Sequence, residues 1–294
     1  MTSFSEYRTF CKIVELNSVT KAANALHKSP SAVSKQLSKL ESSLSVQLFD
    51  RSTKTITITA LGEKFYHQCK AILQSVNDAE QALKDDTTAA SGKLILSFPE
   101  VLLRTPLIKL ITEFSRLYCN IHFELRVSNT LDNIIEEGID FAFRIGKIEN
   151  SRLTANTLFS ANLVCVASPE YLNEFITPTS FQDVIDQHKM LLPTYVNIRE
   201  KINQLLNHTE AISFQDAHLM NSETAIFDAV MQGMGVTALL DISIQPQIDS
   251  GELIHLFPEL TFPRQDVCML YHNRDYMPKK MRLFKEYIKQ EYLL

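Results

Sequence analysis

The sequence predicts a multidomain chain, with a small, mainly α-helical domain carrying a β-wing, then one long helix, then an α/β region of two subdomains. Three observations predict this fold class. The first 60 residues hold three helical apolar patterns followed by two short alternating runs. Residues 65–83 repeat apolar side chains in a seven-residue pattern. From residue 93, short apolar runs alternate with helical patterns, which is typical of an α/β region.

A helix pair joined by a tight turn is predicted first. Ala22, Ala23 and Leu26 share one side of the first helix, and their small size lets a second helix cross closely. Ser29 followed by Pro30 is a helix-start signal, because a serine oxygen can accept from an unpaired N–H and proline at the first position has no N–H to lose. The second helix is therefore predicted to begin at Pro30.

The second helix has two different sides. Val33, Leu37, Leu40 and Leu44 recur at spacings of four, three and four, which predicts a buried stripe. The outward side carries small hydroxyls and a lysine, which suit close approach to base edges and phosphates. The predicted DNA contacts on this helix are Ser29, Pro30, Ser31, Ser34, Lys35 and Ser38. An amphipathic pair whose polar side meets only water is the alternative.

A β-wing is predicted next, from strands at Gln47–Asp50 and Thr55–Thr59. Arg51 and Lys54 flank its tip and are predicted to contact phosphates or the minor groove. An earlier helix, with apolar residues at helical spacing, completes the small core; its residues are Tyr7, Phe10, Cys11 and Val14. Three helices and a wing make a winged helix-turn-helix.

Residues 4–85 resemble the DNA-binding domain and linker helix of LysR-type transcriptional regulators. The matching pattern is Ala22-Ala23, Leu26-His27, Ser29, Ala32-Val33-Ser34, Gln36-Leu37, Leu40-Glu41, Leu44, Leu48-Phe49-Asp50-Arg51, and Thr59 with Gly62. The chain departs from the family at two places. Pro30-Ser31 stands where the family usually has Gln-Pro, which removes a base reader, and Lys35 stands where it has arginine. A lysine is a point charge without the guanidinium fork, so Lys35 is shifted toward phosphate contact.

The long helix predicts a dimer. Its apolar positions follow a heptad pattern typical of helix pairing; they are Phe65, Cys69, Ile72, Val76, Ala79 and Leu83. Packing of this helix against its own domain is the alternative. Residues 1–65 hold nine Lys or Arg against five Asp or Glu, within a chain of net charge −5. Because this excess of positive charge is small, binding of two DNA-binding domains to one duplex is favoured. Their half-sites are expected roughly 34 Å apart in an interrupted inverted repeat.

The predicted domain bounds are 1–60 for the winged helix-turn-helix, 61–86 for the linker helix and 87–92 for a hinge. Residues 93–294 form the effector domain, with subdomain I at 93–162 plus 266–294 and subdomain II at 163–265. An open, mostly parallel sheet is expected. The predicted strands are 94–97, 121–127, 141–143, 162–167, 236–240 and 267–271; the predicted helices begin at Pro106, Leu131, Pro169, Ser222 and Pro278.

This region is similar to the effector domain of LysR-type regulators, which resembles periplasmic solute-binding proteins; the matching segments are 137–146 and 167–172. A small-molecule effector is expected between the subdomains. Candidate contacts lie at strand ends, the crossing and a helix start: Ser97, Phe98, Ser128, Asn129, Thr130, Arg144, Thr194, Asn221 and Ser222. An anionic effector is one option, since helix starts and Arg144 favour anions. Alternatively, the Ser and Asn residues serve as caps, and Arg144 pairs with Asp140 or Glu149.

Motifs of enzymes are absent from the sequence: it has no G-x-S-x-G, no phosphate-binding G-x-x-x-x-G-K and no G-x-G-x-x-G. Its eight histidines form no H-x-x-x-H pair and its five cysteines form no C-x-x-C, so neither cofactor nor metal is expected. Cys119, Cys165 and Cys268 are kept as redox-sensing alternatives. No leader-like or spanning segment is seen, which favours a cytoplasmic location.

The expected function is that of a regulator and not an enzyme. The resemblance implies a homodimer or homotetramer on double-stranded DNA, whose effector domains shift on binding a small molecule and change DNA bending and the access of RNA polymerase. A constitutive DNA-binding protein whose second domain serves only oligomerisation is the alternative.

Overall fold

The computed structural model describes residues 4–50, 56–85, 89–129, 134–135, 137–146, 153–195, 217–260, 262–272 and 277–292. The chain folds into two compact units. The first holds residues up to Ala90 with the segments Asn133–Asp140 and Arg274–Arg282, and the second holds the rest of the region from Ser91.

Three helices form the N-terminal core: α1 (Phe4–Leu16), α2 (Val19–Ala25) and α3 (Pro30–Leu44). The predicted start of α3 is confirmed, because the Ser29 hydroxyl accepts from the N–H of Ala32 at 3.2 Å and Pro30 is the first helical residue.

The predicted apolar stripe of α3 is also confirmed. Val33, Leu37 and Leu40 are buried, and Leu44 is half-buried against the same core. Phe10 of α1 lies in this core with its ring 5.6 Å from that of Phe49. The core therefore seals one side of α3 and leaves the other side outside.

The wing strands are shorter than predicted, with β1 (Phe49–Asp50) pairing antiparallel to β2 (Thr57–Ile58). Several backbone N–H groups in and near the two strands donate hydrogen bonds to side chains. The N–H groups of Leu48 and Phe49 donate to the Glu41 carboxylate at 2.9 and 3.2 Å, and the Thr59 hydroxyl accepts from the N–H of Gly62 at 3.0 Å. Thr59 thus serves the next helix and not a strand.

The predicted dimer seam on the linker helix, α4 (Ala60–Asp85), is shorter in the structure than in the prediction. Cys69 is fully buried in the N-terminal core, and the ring of Phe65 lies 5.8 Å from Tyr7 and 5.4 Å from Phe10. These two seam positions pack against the helix's own domain, so they are not available to a partner. Ile72, by contrast, is 43% exposed. The exposed part of the predicted seam therefore starts at Ile72.

The remaining elements lie in the second unit, except that the last helix begins in the segment of the first unit that ends at Arg282. In chain order they are β3 (Gly92–Phe98), a 3-10 helix (Glu100–Arg104), α5 (Leu107–Leu117), β4 (Ile121–Val127), β5 (Phe141–Ile145), β6 (Leu153–Ala161), β7 (Leu163–Ala167), α6 (Pro169–Glu174), α7 (Phe181–Gln187), β8 (Leu191–Pro193), β9 (His218–Met220), α8 (Glu223–Met231), β10 (Thr237–Leu240), α9 (Asp241–Ser250), β11 (Ile254–Leu256), β12 (Gln265–His272) and α10 (Lys279–Tyr292). The predicted short helix from Leu131 lies partly outside the described residues.

The expectation of a mostly parallel sheet is wrong. The larger sheet has the order β4-β3-β5-β12-β6, in which β3 runs parallel to β4 and β5, whereas β12 runs antiparallel to β5 and β6. The smaller sheet, β10-β7-β11, is antiparallel in both pairs. The difference arises at β12. The chain enters the larger sheet there from the second subdomain, and it runs opposite to the strands that are joined by local crossovers.

Strand β6 was missed because its sequence, Leu-Thr-Ala-Asn-Thr-Leu-Phe-Ser-Ala, mixes polar and apolar residues at the edge of the sheet. The opposite edge is β4, the strand predicted at 121–127. Ile121 is buried, but Leu125 and Val127 are 42% and 43% exposed, since an edge strand is covered less fully than a central one.

The core of the larger sheet is aromatic. The ring of Phe114 on α5 lies 5.1 Å from Phe284 on α10 and 6.1 Å from Phe123 on β4. The predicted return of the C-terminal helix to the first sheet is therefore confirmed. Among the described residues, no helix is long and apolar enough to span a membrane.

Candidate DNA-binding face and interdomain site

The predicted DNA-contacting side of α3 lies at the protein surface. Five of its residues are exposed and Ser38 is half-buried; the exposed ones are Ser29, Pro30, Ser31, Ser34 and Lys35. The remaining two predicted contacts, Arg51 and Lys54, lie outside the described residues. We call the six residues on α3 and its cap the α3 face.

Lys35 is the cation of this face. Among the described residues, its ammonium forms no ion pair, whereas Lys39 on the same helix lies 2.6 Å from a Glu6 oxygen and Lys12 on α1 lies 2.6 Å from Glu15. The Lys35 charge is therefore not neutralised by a neighbouring carboxylate, as a phosphate contact requires.

A partly buried polar cluster joins α3 to α1, and the sequence analysis missed it. The ammonium of Lys28, in the turn before α3, donates to the Gln36 side-chain oxygen at 2.9 Å, to the Ser5 hydroxyl at 3.2 Å and to the Thr9 hydroxyl at 3.4 Å. These bonds join α1, the turn and α3. In the sequence, this residue was visible only as a lysine between two predicted helices. Its hydrogen-bond partners are distant in the sequence, so the pattern gave no indication of them.

The predicted effector contacts on the central strands lie inside the sheet. Ser97 and Phe98 are fully buried, and Arg144 is 6% exposed. The Arg144 guanidinium donates to the Ser97 hydroxyl at 2.8 Å and to the Phe143 carbonyl at 2.7 Å. Arg144 and Ser97 are thus joined by the parallel pairing of β3 and β5. Glu149, its alternative partner, lies outside the described residues.

The predicted effector contacts in the turns and in the crossing between subdomains mostly make capping and turn hydrogen bonds, as the alternative interpretation expected. The Asn129 side-chain oxygen accepts from the N–H of Glu100 at 3.1 Å, and the Ser128 N–H donates to the Phe98 carbonyl at 3.0 Å. Thr194 is exposed, with its N–H donating to Met220 at 2.8 Å. Thr130 lies outside the described residues. Asn129 therefore holds the start of the 3-10 helix.

The start of α8 already holds a carboxylate. Ser222 caps α8 by accepting from the N–H of Ala225 at 3.2 Å. One oxygen of Glu100 accepts both the Ser222 hydroxyl at 2.8 Å and the Thr224 N–H at 3.0 Å, while Asn221 beside them is exposed. The position predicted for an anionic effector is occupied by an acidic side chain of the protein.

The charge at this contact is stable at neutral pH. Burial acts to raise the pKa of Glu100, but the hydrogen bonds from Thr224 and Ser222 outweigh it and hold that pKa below its ordinary value. The carboxylate therefore stays ionised.

Four further residues lie near this contact. The guanidinium of Arg104 lies 4.0 Å from the ring centre of Phe227 on α8. The Tyr195 hydroxyl donates to the Glu223 carboxylate. Burial raises the pKa of Glu223 and also that of Tyr195, which the Glu223 charge raises further.

The sequence analysis did not select these residues. Glu100 and Arg104 are a charged pair directly after a strand end, and Glu223 is an acid in a first helical turn; both are common enough to carry no specific signal.

The three cysteines kept as redox candidates differ in exposure. Cys165 and Cys268 are buried and Cys119 is exposed. Burial raises the pKa of Cys165 to about 12, which makes its thiolate form scarce at neutral pH. Among the described residues, no group of three or more His, Cys, Asp or Glu side chains is arranged to hold a metal ion.

Comparison with known proteins matches both parts of the chain. Residues 4–63 match the family model described as "Bacterial regulatory helix-turn-helix protein, lysR family", and residues 87–293 match "LysR substrate binding domain". An HTH-type transcriptional regulator from Haemophilus influenzae is 26% identical, over 96% of this chain and 98% of its own. The regulator PtxR from Pseudomonas aeruginosa is 27% identical, over 96% and 90%. The structure of CrgA, a LysR-type transcriptional regulator from Neisseria meningitidis, is 26% identical with a TM-score of 0.62, covering 99% of both chains.

Proposed function

The chain belongs to the LysR family of bacterial transcriptional regulators, and from that premise we propose that its α3 face reads an interrupted inverted repeat in duplex DNA. We further propose that a small molecule bound between the two subdomains modulates this binding. The chain acts in this proposal as a cytoplasmic regulator and not as an enzyme, without cofactor or metal, and RNA polymerase is a further candidate partner.

The observation that carries the proposal is the two-sided character of α3. Its leucine side packs in the N-terminal core, while Ser31, Ser34 and Lys35 are exposed together. Small side chains allow the helix backbone to approach base edges, and an unneutralised ammonium adds a phosphate contact. The absence of the family's usual glutamine at this place leaves serine hydroxyls as the base-reading groups.

Selection of bound DNA from a random pool, using the full-length chain, tests this assignment. We expect enrichment of an inverted repeat with half-site centres about one helical turn, roughly 34 Å, apart. Ser34→Ala should change the preferred bases, while Lys35→Ala should weaken binding to all sequences. A footprint and base preference unchanged in both variants would refute the role of the α3 face.

The proposal includes a dimer formed through the exposed part of α4. Because Phe65 and Cys69 are used by the N-terminal core, the partner contact starts at Ile72. We expect Ile72→Glu to shift the full-length protein toward monomer in analytical ultracentrifugation, whereas Lys70→Glu, two residues away and about 200° around the helix, should leave the mass unchanged. The predicted bounds, 1–60, 61–86, 87–92 and 93–294 with its two subdomains, form part of this proposal.

Effector binding is proposed for the interdomain site, and the ionised Glu100 at the start of α8 disfavours an anion there. A panel of neutral and cationic metabolites tested by thermal shift on the full-length chain should yield a compound that raises the melting temperature by mass action. That compound should also change DNA affinity. The alternative, a second domain that serves only oligomerisation, requires that no such compound alters DNA binding.

A further inference from the structure

We infer that the 3-10 helix Glu100–Arg104 is a latch that holds subdomain II against subdomain I at two points, and that opening of the interdomain site requires both points to separate. This inference rests on the proposed effector regulation only for its biological use. The latch consists of Glu100 and Arg104 on one side and Ser222, Thr224 and Phe227 on the other.

The first point is ionic and polar. A single oxygen of Glu100 accepts the Ser222 hydroxyl at 2.8 Å and the Thr224 backbone N–H at 3.0 Å. Two donors on one charged acceptor make a stronger contact than a neutral hydrogen bond. The carboxylate also faces the positive end of α8, which adds a favourable charge–dipole interaction.

The second point is a cation–π contact. The guanidinium of Arg104 lies over the Phe227 ring at 4.0 Å from its centre, well within the range in which such contacts are attractive. Glu100 and Arg104 are four residues apart, about 8 Å along a 3-10 helix. Thr224 and Phe227 are three residues apart, roughly one turn of α8. Two separated contacts restrict rotation of one subdomain against the other, which a single contact would allow.

Most of the latch residues lie outside the hydrophobic clusters of subdomain II. Subdomain II packs its own clusters around Tyr171 and around Val230, and subdomain I packs around Phe114. The five latch residues are not members of those subdomain II clusters, apart from Phe227 at the margin of one. Because both of these clusters are formed by residues of subdomain II itself, they remain intact when the latch contacts separate.

Hydrogen bonds, and not neighbouring charges, keep the Glu100 carboxylate ionised at neutral pH. The groups around Glu100 are the Glu223 carboxylate, which is bonded by the Tyr195 hydroxyl, and the Arg104 guanidinium. Because its hydrogen bonds lower the pKa of Glu100, release at neutral pH needs a competing ligand and not a proton.

The distance between spin labels across the site tests the latch. Cys119 in subdomain I is exposed while the other four cysteines are buried, so it takes one label, and Ile176→Cys in subdomain II, at a position 84% exposed, takes the second. The full-length protein is measured without DNA or added ligand, diluted with unlabelled protein so that distances within one chain dominate. The parent should give one narrow distance distribution.

We expect E100A/R104A to add a second, longer distance as the major population, and E100Q and R104A singly to add it as a minor one. Glu259→Ala, which removes an exposed carboxylate elsewhere in subdomain II, should keep the parent distribution. Faster hydrogen exchange of the Thr224 amide in E100Q, by at least about tenfold, should accompany the opening.

A single unchanged distance in E100A/R104A, with secondary structure intact by circular dichroism, would overturn the latch. Equal opening in the Glu259→Ala control would overturn it as well, because the separation would then not depend on these contacts. Neither result bears on the α3 face, whose failure is detected separately by loss of sequence-selective DNA binding in the parent protein.

Discussion

Replacement of Lys35 by alanine gives the sharpest test of how the N-terminal domain engages DNA. Each phosphate neutralised on B-DNA contributes about 0.9 to the slope of log affinity against log salt concentration. With one Lys35 in each DNA-binding domain, the expected decrease in slope is about 1.8 for a dimer and about 0.9 for a single domain. Between 50 and 200 mM salt, a decrease of about 1.8 makes the variant's affinity fall roughly tenfold less than that of the parent.

The assay is fluorescence anisotropy with the selected inverted repeat, repeated over that salt range. Lys12→Ala is the matched control, because it removes one lysine from the same domain that is already paired with Glu15 at 2.6 Å; its slope should equal that of the parent. An unchanged slope in Lys35→Ala, with the domain folded, refutes the phosphate contact. A slope change accompanied by loss of preference for guanine at one position would instead place Lys35 on a base edge.

Four further predictions concern stability and are measured by urea unfolding. Gly62→Ala should destabilise the N-terminal domain by about 1–3 kcal/mol, because an added Cβ would lie 2.2 Å from the Leu48 carbonyl oxygen. Phe114→Ala, at a fully buried position, should cost about 3–5 kcal/mol; a loss below about 1 kcal/mol would contradict its central place in the core. Lys28→Ala should cost about 1–3 kcal/mol by removing the charged hydrogen bonds that join α1, the turn and α3, with no change in the salt slope of DNA binding. The stability that Glu100 contributes over E100Q should be present above the unfolded glutamate pKa of about 4.3 and lost as the pH falls through its lower folded pKa; a difference independent of pH would exclude an ionised contact.

Local patterns predicted the N-terminal domain well because its structure depends on short-range signals. The Ser29-Pro30 start and the Val33, Leu37 and Leu40 stripe are each read within one or two helical turns, and both are confirmed. The same logic located α5 and the strands β3, β5 and β12 to within a few residues. The direction and order of the strands could not be predicted in this way, since β12 pairs with residues more than 100 positions earlier.

The linker helix shows how one pattern can serve two surfaces. A heptad repeat states which residues share a side of the helix, but it does not state what that side meets. The N-terminal core takes Phe65 and Cys69, and Ile72 stays exposed. Likewise, polar residues at strand ends were predicted to contact an effector, but Asn129 and Ser222 act as caps. The charged residues near them, Glu100, Arg104 and Glu223, were not selected.

The sequence by itself determined the family resemblance, the helix pair with its two-sided α3, and the alternation of helices and strands, because these depend on residue type and spacing over a few turns. Only the tertiary structure decided that Lys28 bridges α1 and α3, that the larger sheet is mixed, and that Glu100 lies at the start of α8. The physical reason is that hydrogen bonds and ion pairs act over about 3 Å between groups whose separation along the chain, 122 residues for Glu100 and Ser222, carries no trace of their proximity.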